Sequence, residues 1–355
     1  MDSIFSPYLE RIEQEIDIAL PKKQGSEWAS FAFGTEFDGV TDRHWQPLVE
    51  PTRELISLGG KRWRPLFLVL CAEACAKNGQ APDTAYRLTP LVEFVHTASL
   101  IHDDIEDSSD SRRGKPAAYL TYGLDTAINA GAWLYFEAAS CIDRVNTSEE
   151  NKLLLYRTYA LELRRLHLGQ AMDIAWHRDA SFCPTAAEYI AMVRNKTGTL
   201  ASLAAKVGTL AADADAETSA KAGETASLVG AGFQVIDDVI NLTSGNPGKK
   251  RGDDIVEGKK SLPVLLFAEK YGVSSSEYQE LENCFKLARK DGIESPAVEK
   301  AVSLLTDSEC VAEARKRGID YIDKACSSFK ELFRNNSETA EKICRLFYSM
   351  IPAIL

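Results

Sequence analysis

The chain has 355 residues, 45% of them hydrophobic and 26% charged, which is the composition of a globular protein able to bury a sizeable core. A formal net charge of -11 excludes a general nucleic-acid or anionic-membrane binder, so any anionic ligand must meet a local basic patch. The eight cysteines show neither metal-ligand nor disulfide-framework spacing, and a reducing cytoplasm suits them.

In chain order, MDSIFSPYLERIEQEID lacks the basic start and apolar run of a signal peptide, and no later run approaches a membrane span. No membrane insertion is expected. Residues 1–50 read as an irregular N-terminal segment with a first helix, and glycine, proline and polar residues place loops at 22–48, 145–151 and 243–254. Between them lie LFLVLCAEACA, LVEFVHTASLIHD, AINAGAWLYFEAAS, LLLYRTYALELRRLHLGQAM and LASLAAKVGTLAA, which are rich in alanine and leucine and carry helical periodicity. Cys71 and Cys75 sit in the first of these runs as buried thiols. Thr185 with Glu188 has capping-box spacing, and Ser295 before Pro296 reads as an N-cap with a first-turn proline. No stretch looks like an interdomain linker, so residues 1–355 are expected to form a single all-α domain, with 273–355 completing the bundle.

The chemistry gathers in a few places. GGKRWRP brings Lys61, Arg62 and Arg64 together, either as a solvated loop leading into a helix or as an anion site. LIHDDIED crowds Asp103, Asp104, Glu106 and Asp107, a repulsive cluster unless cations take up the field, and Arg112 and Arg113 follow it at once. QVIDDVIN repeats the pattern: Asp103 and Asp107 share one helical face, as do Asp237 and Asn241. Two such faces opposed across a bundle would make an acidic cavity. Carboxylates without His or Cys partners favour a hard cation, and magnesium bridged to a diphosphate is the natural guest. Lys249, Lys250, Arg251, Lys259 and Lys260 then surround Asp253 and Asp254 in a glycine-rich stretch that reads as a surface loop or as a lid. His96, taken alone, is a core histidine or a ligand.

The ordered set GGKRWRP, HTASLIHDDIED, RRGKP, AINAG, LHLGQAMDI, KTG, FQVIDD and GKK-GDDI-EGK, over about residues 55 to 270, resembles the trans-isoprenyl diphosphate synthases of the polyprenyl synthetase family, and most of all the geranylgeranyl diphosphate synthases. The resemblance implies an all-α single bundle around a deep central cavity, usually a homodimer, and a magnesium-dependent prenyltransferase. Its substrates would be isopentenyl diphosphate and an allylic diphosphate, whether dimethylallyl, geranyl or farnesyl. Asp103, Asp104, Asp107, Asp237 and Asp238 would hold three magnesium ions per active site. Arg112, Lys196 and Lys259 match contacts to the allylic diphosphate, while Lys61, Arg64, His96 and Arg113 match the isopentenyl diphosphate pocket. Thr197 and Gln234 match oxygens near the developing allylic cation, and Gln170 and Asp173 positions near the metal. Catalysis would thus fall to Asp103, Asp104, Lys196, Thr197, Gln234 and Lys259.

Two departures stand out. Asn241 replaces a common aspartate, and Tyr119 stands where many members carry histidine. Product length should follow the depth open to the apolar tail, since one helical turn rises about 5.4 Å, comparable with one isoprene unit. Ala98 and Ser99 are small where shorter-chain enzymes carry an aromatic block, and Tyr135, Phe136 and His167 match the floor of geranylgeranyl-type cavities, although aromatic core packing explains them as readily. A twenty-carbon product is the expectation, with a longer polyprenyl chain as the alternative. A class I terpene cyclase would not need the second diphosphate pocket, and a non-catalytic partner subunit would usually have lost motif carboxylates that this chain keeps.

Overall fold

The alanine- and leucine-rich runs become helix almost throughout the computed structural model, which describes residues 3–34, 39–179, 182–245 and 250–352. The chain runs through α1 (Ser6–Ala19), α2 (Ser26–Phe33), α3 (Asp42–Ser57), α4 (Trp63–Cys75), α5 (Asp83–Arg87) and α6 (Thr89–Glu106). A short antiparallel hairpin follows, β1 (Ser111–Arg112) with β2 (Lys115–Pro116), then α7 (Ala118–Tyr122), α8 (Leu124–Asp143), α9 (Glu149–Arg178), α10 (Ala186–Lys196) and α11 (Gly198–Ala211). The remainder is α12 (Ala216–Thr243), α13 (Asp253–Glu257), α14 (Leu262–Tyr271), α15 (Ser276–Asp291), α16 (Pro296–Asp307), α17 (Cys310–Leu332) and α18 (Ser337–Met350). Among the described residues no helix is long and apolar enough to cross a membrane.

Two compact units emerge. The first holds Met1–Glu162, Ser202–Gly223 and Phe329–Ser349; the second holds Leu163–Ala201, Glu224–Ser328 and Met350–Leu355. In the first, α6 packs most extensively against α8. Gly131 permits that approach, because a Cβ there would lie 2.7 Å from His102 Nε2. Phe67, Phe329 and Phe347 are fully buried and meet edge-on or tilted at 5.0–6.0 Å, tying α4 to α17 and α18. Glu73 closes the same end, where it accepts hydrogen bonds from Tyr8, Thr339 and Lys342. The core of the second unit gathers Val235 and Val239 from α12, Leu265 from α14, Leu281 from α15, and Val298 and Val302 from α16.

The Thr185–Glu188 capping box forms, and Ser295 caps α16 ahead of Pro296. The eight cysteines form no disulfide, with Cys71 buried and Cys75 half-buried. The loops expected at 22–48 and 145–151 need correction. Helix α2 lies inside the first, α3 begins at Asp42 and accommodates Pro47 and Pro51, and α9 begins at Glu149. The reason is aromatic anchoring: Trp28 meets Trp133 edge-on at 6.4 Å, and Phe33 stacks on Trp45 and Trp133 at 6.3 and 6.1 Å. Among the described residues, 3–50 thus hold two α-helices and the start of a third.

Candidate active site

The basic half of the site is built in the first unit, around the turn into α4. Arg62 sits there in left-handed backbone geometry and does not face solvent: it is 5% exposed and donates to Glu13, Glu93 and the Ile56 carbonyl. Arg62 is therefore spent on structure, neither solvated nor offered to an anion. Arg113 donates to the carbonyls of Leu55 and Gly59 and so underpins the glycine turn. Lys61 is exposed.

Arg64 and His96 differ from these. The Arg64 Nη1 lies 3.4 Å from His96 Nε2, and the inaccessible Arg64 Nε and His96 Nδ1 have no hydrogen-bond partner among the described residues. Burial lowers Arg64 to about 10, opposed by Glu93 and reinforced by Arg113. His96 falls well below its ordinary value, first through burial and then through the charges of Arg64, Arg113, Arg112 and Arg62. Buried polar groups without partners are costly, and several cations facing one imidazole leave a positive field. This pocket suits an anion.

The first aspartate motif ends α6. Asp103 has a side chain 24% exposed, whereas Asp104 is 1% exposed and faces inward. Arg112, carried by the hairpin, donates to Asp104 Oδ1 from Nε at 2.9 Å and from Nη2. Burial acts to lower Arg112, but the hydrogen bond and charge of Asp104, then the charges of Asp103 and Asp107, hold it above its ordinary value. Asp107 is the half-buried C-cap of the helix. Below the motif, half-buried Tyr119 packs against the small cluster of Leu55, Ile101 and Ala127.

The second motif lies in α12, in the second unit. Asp237 is exposed, while Asp238 is 5% exposed. Asp238 Oδ2 accepts from the Tyr189 hydroxyl at 2.5 Å and from Leu262 N–H at 3.3 Å, and Oδ1 accepts from Gln234 Nε2 at 3.1 Å. The Thr197 hydroxyl donates in turn to Gln234 Oε1 at 3.0 Å. Burial pushes Asp238 up to about 7, with the charge of Asp254 adding and the Tyr189 and Gln234 hydrogen bonds opposing. The close approach of α11 to α12 that permits this chain depends on paired glycines, because a Cβ on Gly230 would lie 2.5 Å from Gly198 Cα.

Lys196 donates to Asp173 at 2.6 Å, with His177 Nε2 3.3 Å from the same carboxylate. Lys259 pairs with Glu257 at 2.5 Å and lies 3.5 Å from Asp254. Lys249 of the basic loop lies outside the described residues.

The geometry divides the expected site residues between inner and outer positions. Of five aspartates read as metal ligands, Asp104 and Asp238 point into the protein, because consecutive helical residues diverge by about 100° and only Asp103, Asp107 and Asp237 are left on the accessible side. Asn241 does not join Asp237: it is 1% exposed, its Oδ1 accepts from Asp254 N–H at 3.3 Å, and its carbonyl accepts from Gly252. Phe136 is 79% exposed, whereas its neighbour Tyr135 is buried with its ring 5.6 Å from that of His102. His167 is also exposed; Ala98 is fully buried, and the half-buried Ser99 donates to the His96 carbonyl. Tyr189, unremarked in the sequence, is the residue missed, and its only signal was a place two turns before Lys196 on the same helix face.

The remaining carboxylates fit a divalent ion. Among the described residues no three or more His, Cys, Asp or Glu side chains converge as a ready-made centre. Asp103 and Asp107 in the first unit, and Asp237 in the second, are hard oxygen donors of the kind a magnesium ion takes alongside water and phosphate.

Residues 46–305 match the family described as polyprenyl synthetase. A geranylgeranyl diphosphate synthase of Methanosarcina mazei is 34% identical over 281 residues, 79% of this chain and 82% of that protein. A geranylgeranyl pyrophosphate synthase of Macrophomina phaseolina is 40% identical over 217 residues, and the match spans 61% of this chain and 63% of that relative. The crystal structure of geranylgeranyl pyrophosphate synthetase from Pyrococcus horikoshii superposes with a TM-score of 0.78 at 27% identity, covering 97% of each chain.

Proposed function

The chain belongs to the polyprenyl synthetase family and is a prenyltransferase; we propose that it condenses isopentenyl diphosphate head-to-tail with an allylic diphosphate to give geranylgeranyl diphosphate. The observation that carries the reading is the Arg64–His96 pair, whose inaccessible Nε and Nδ1 have no hydrogen-bond partner among the described residues and lie in a field of arginines. An enzyme that ionises a single prenyl diphosphate has no use for such a second anion pocket.

In this reading Lys61, Arg64, His96 and Arg113 bind isopentenyl diphosphate, with His96 neutral and donating through one ring nitrogen. Asp103 and Asp107 in the first unit, and Asp237 in the second, would each be ligands for magnesium, which when bound would neutralise charge on the departing diphosphate. Lys196 and Lys259 exchange their carboxylate partners for phosphate oxygens, and Arg112, held by Asp104, presents its outer edge to the same diphosphate. The allylic carbon–oxygen bond ionises. The oxygens of Thr197 and Gln234 then face the cation as fixed dipoles that need no reorganisation. The isopentenyl double bond attacks, and the proton lost from the new adduct passes to the released diphosphate.

The names of the relatives and the small Ala98 and Ser99 upstream of Asp103 support a twenty-carbon product. A second copy of the chain is proposed to cover the exposed apolar stripe of Leu124, Ile128 and Phe136 on α8, which gives a homodimer, and cysteines without disulfides suit the cytoplasm. The test is incubation of the purified protein with magnesium, isopentenyl diphosphate and farnesyl diphosphate, followed by measurement of product chain length. A twenty-carbon diphosphate is expected. Products of thirty carbons or more would keep the chemistry and overturn the chain length, and no elongation from farnesyl, geranyl or dimethylallyl diphosphate would overturn the reading.

A further inference from the structure

The second motif contains a buried hydrogen-bond chain that the metal and diphosphate contacts do not explain. It starts at Tyr189 on α10, 2% exposed, with its hydroxyl 2.5 Å from Asp238 Oδ2. The same oxygen accepts from Leu262 N–H at the start of α14, and both residues belong to the core of the second unit. With two donors aimed at it, Oδ2 is held as an acceptor. The other oxygen, Oδ1, faces Gln234 Nε2 one helical turn away, and Gln234 Oε1 then receives the Thr197 hydroxyl.

The direction of this chain matters. A glutamine amide can sit either way round with almost no change in shape, so an isolated Gln234 would present oxygen or NH2 to a ligand about equally. A carboxylate acceptor beside it settles the choice. Asp238 takes the NH2 end, and the carbonyl oxygen is left on the Thr197 side, where the Thr197 oxygen also keeps its lone pairs free for a positive centre. A flipped amide would present two N–H groups to the cation and oppose its formation.

We infer that Tyr189 is a positioning residue for the allylic half-reaction, acting through Asp238 to hold the amide of Gln234 with its oxygen towards Thr197. This rests on the prenyltransferase reading above and deepens it. Asp238 becomes part of the orienting chain and not an ion ligand. The inference therefore separates the two aspartates of the motif: Asp237 meets the ion and Asp238 meets the protein.

Steady-state elongation in Tyr189→Phe, Gln234→Ala and the double variant, with thermal unfolding followed in parallel, tests it. Tyr189→Phe should lower kcat by about 10- to 100-fold, the range of a small misplacement at a reacting centre, while KM for both diphosphates stays within about twofold. In the Gln234→Ala background the same change should cost less than about threefold, because the group it orients is gone. Equal losses in both backgrounds overturn the inference, as does a loss confined to KM. If Tyr189→Phe does not fold, Asp238→Asn keeps the shape and turns the amide chain round. That variant should lose kcat with its half-saturating magnesium concentration unchanged within about twofold, and a tenfold rise in that concentration would make Asp238 an ion ligand and overturn the inference. A wild-type protein that elongates no primer overturns the functional reading and this inference together, whereas additive losses in an active protein overturn the inference alone.

Discussion

The two aspartate pairs, Asp103–Asp104 on α6 and Asp237–Asp238 on α12, look alike in sequence and are solved differently in structure. In each, the first aspartate is accessible and the second is buried. The buried partners are unlike: Asp104 is met by the guanidinium of Arg112, Asp238 by a phenol, a backbone N–H and an amide. A cation stabilises the charge of Asp104 directly, whereas three neutral donors only partly offset burial at Asp238, whose carboxyl is pushed up to about 7. One pair is thus an electrostatic clamp and the other a directional hydrogen-bond hub. A repeated motif can share its outer chemistry and still be anchored by unrelated inner chemistry.

The largest effect should fall where the two pairs agree. Asp103→Ala and Asp237→Ala each remove an accessible carboxylate that nothing else replaces, and elongation should drop by about 10³-fold or more in both. Circular dichroism and melting temperature should stay close to wild type, because neither residue is among the buried polar side chains. Retained turnover in both variants would dissolve the outer half of the comparison.

The inner half predicts a difference. Asp104→Asn strands Arg112, whose side chain is only 24% exposed, next to a group without charge. Removing one partner of a buried pair costs about 3–5 kcal/mol, and the partial exposure of Arg112 reduces this to about 2–3 kcal/mol. Asp238→Asn exchanges one neutral-donor arrangement for another and should cost about 1 kcal/mol. Denaturant unfolding of the two variants, compared at one pH near neutrality, measures the gap; equal losses would show that the two inner anchors do not differ in kind.

Much of this was legible in the chain. Helical period placed Asp103 and Asp107 on one face, and capping chemistry located the starts of α10 and α16. What escaped was long-range or rotational. Tyr189 and Asp238 are 49 residues apart, and no local pattern announces that a phenol will meet that carboxylate. Tyr135 and Phe136 are adjacent aromatics that the sequence treats alike, yet a step of about 100° around the helix buries one and leaves the other 79% exposed. Helix α2 hid in a stretch that composition marks as loop, because its stability comes from Trp45 and Trp133 elsewhere in the chain and not from its own propensity.

Asn241 offers the finest division between an outer and an inner position. Four residues after Asp237, it occupies the place of a common family aspartate, and spacing alone gives it to the ion. Its side chain is 1% exposed, its Oδ1 is engaged by Asp254 N–H, and its Nδ2 is buried without a hydrogen-bond partner among the described residues. A carboxylate at this position would inherit the Asp254 N–H and the same enclosure, with no open side from which to reach a cation. Asn241→Asp should therefore leave the half-saturating magnesium concentration within about twofold of wild type, since one added ligand on a magnesium site would instead tighten it severalfold. Magnesium titration of elongation by the two proteins decides it. A marked fall in the magnesium requirement would move position 241 to the accessible side with Asp237, and would mean that α13 releases its hold on the side chain when the ion binds.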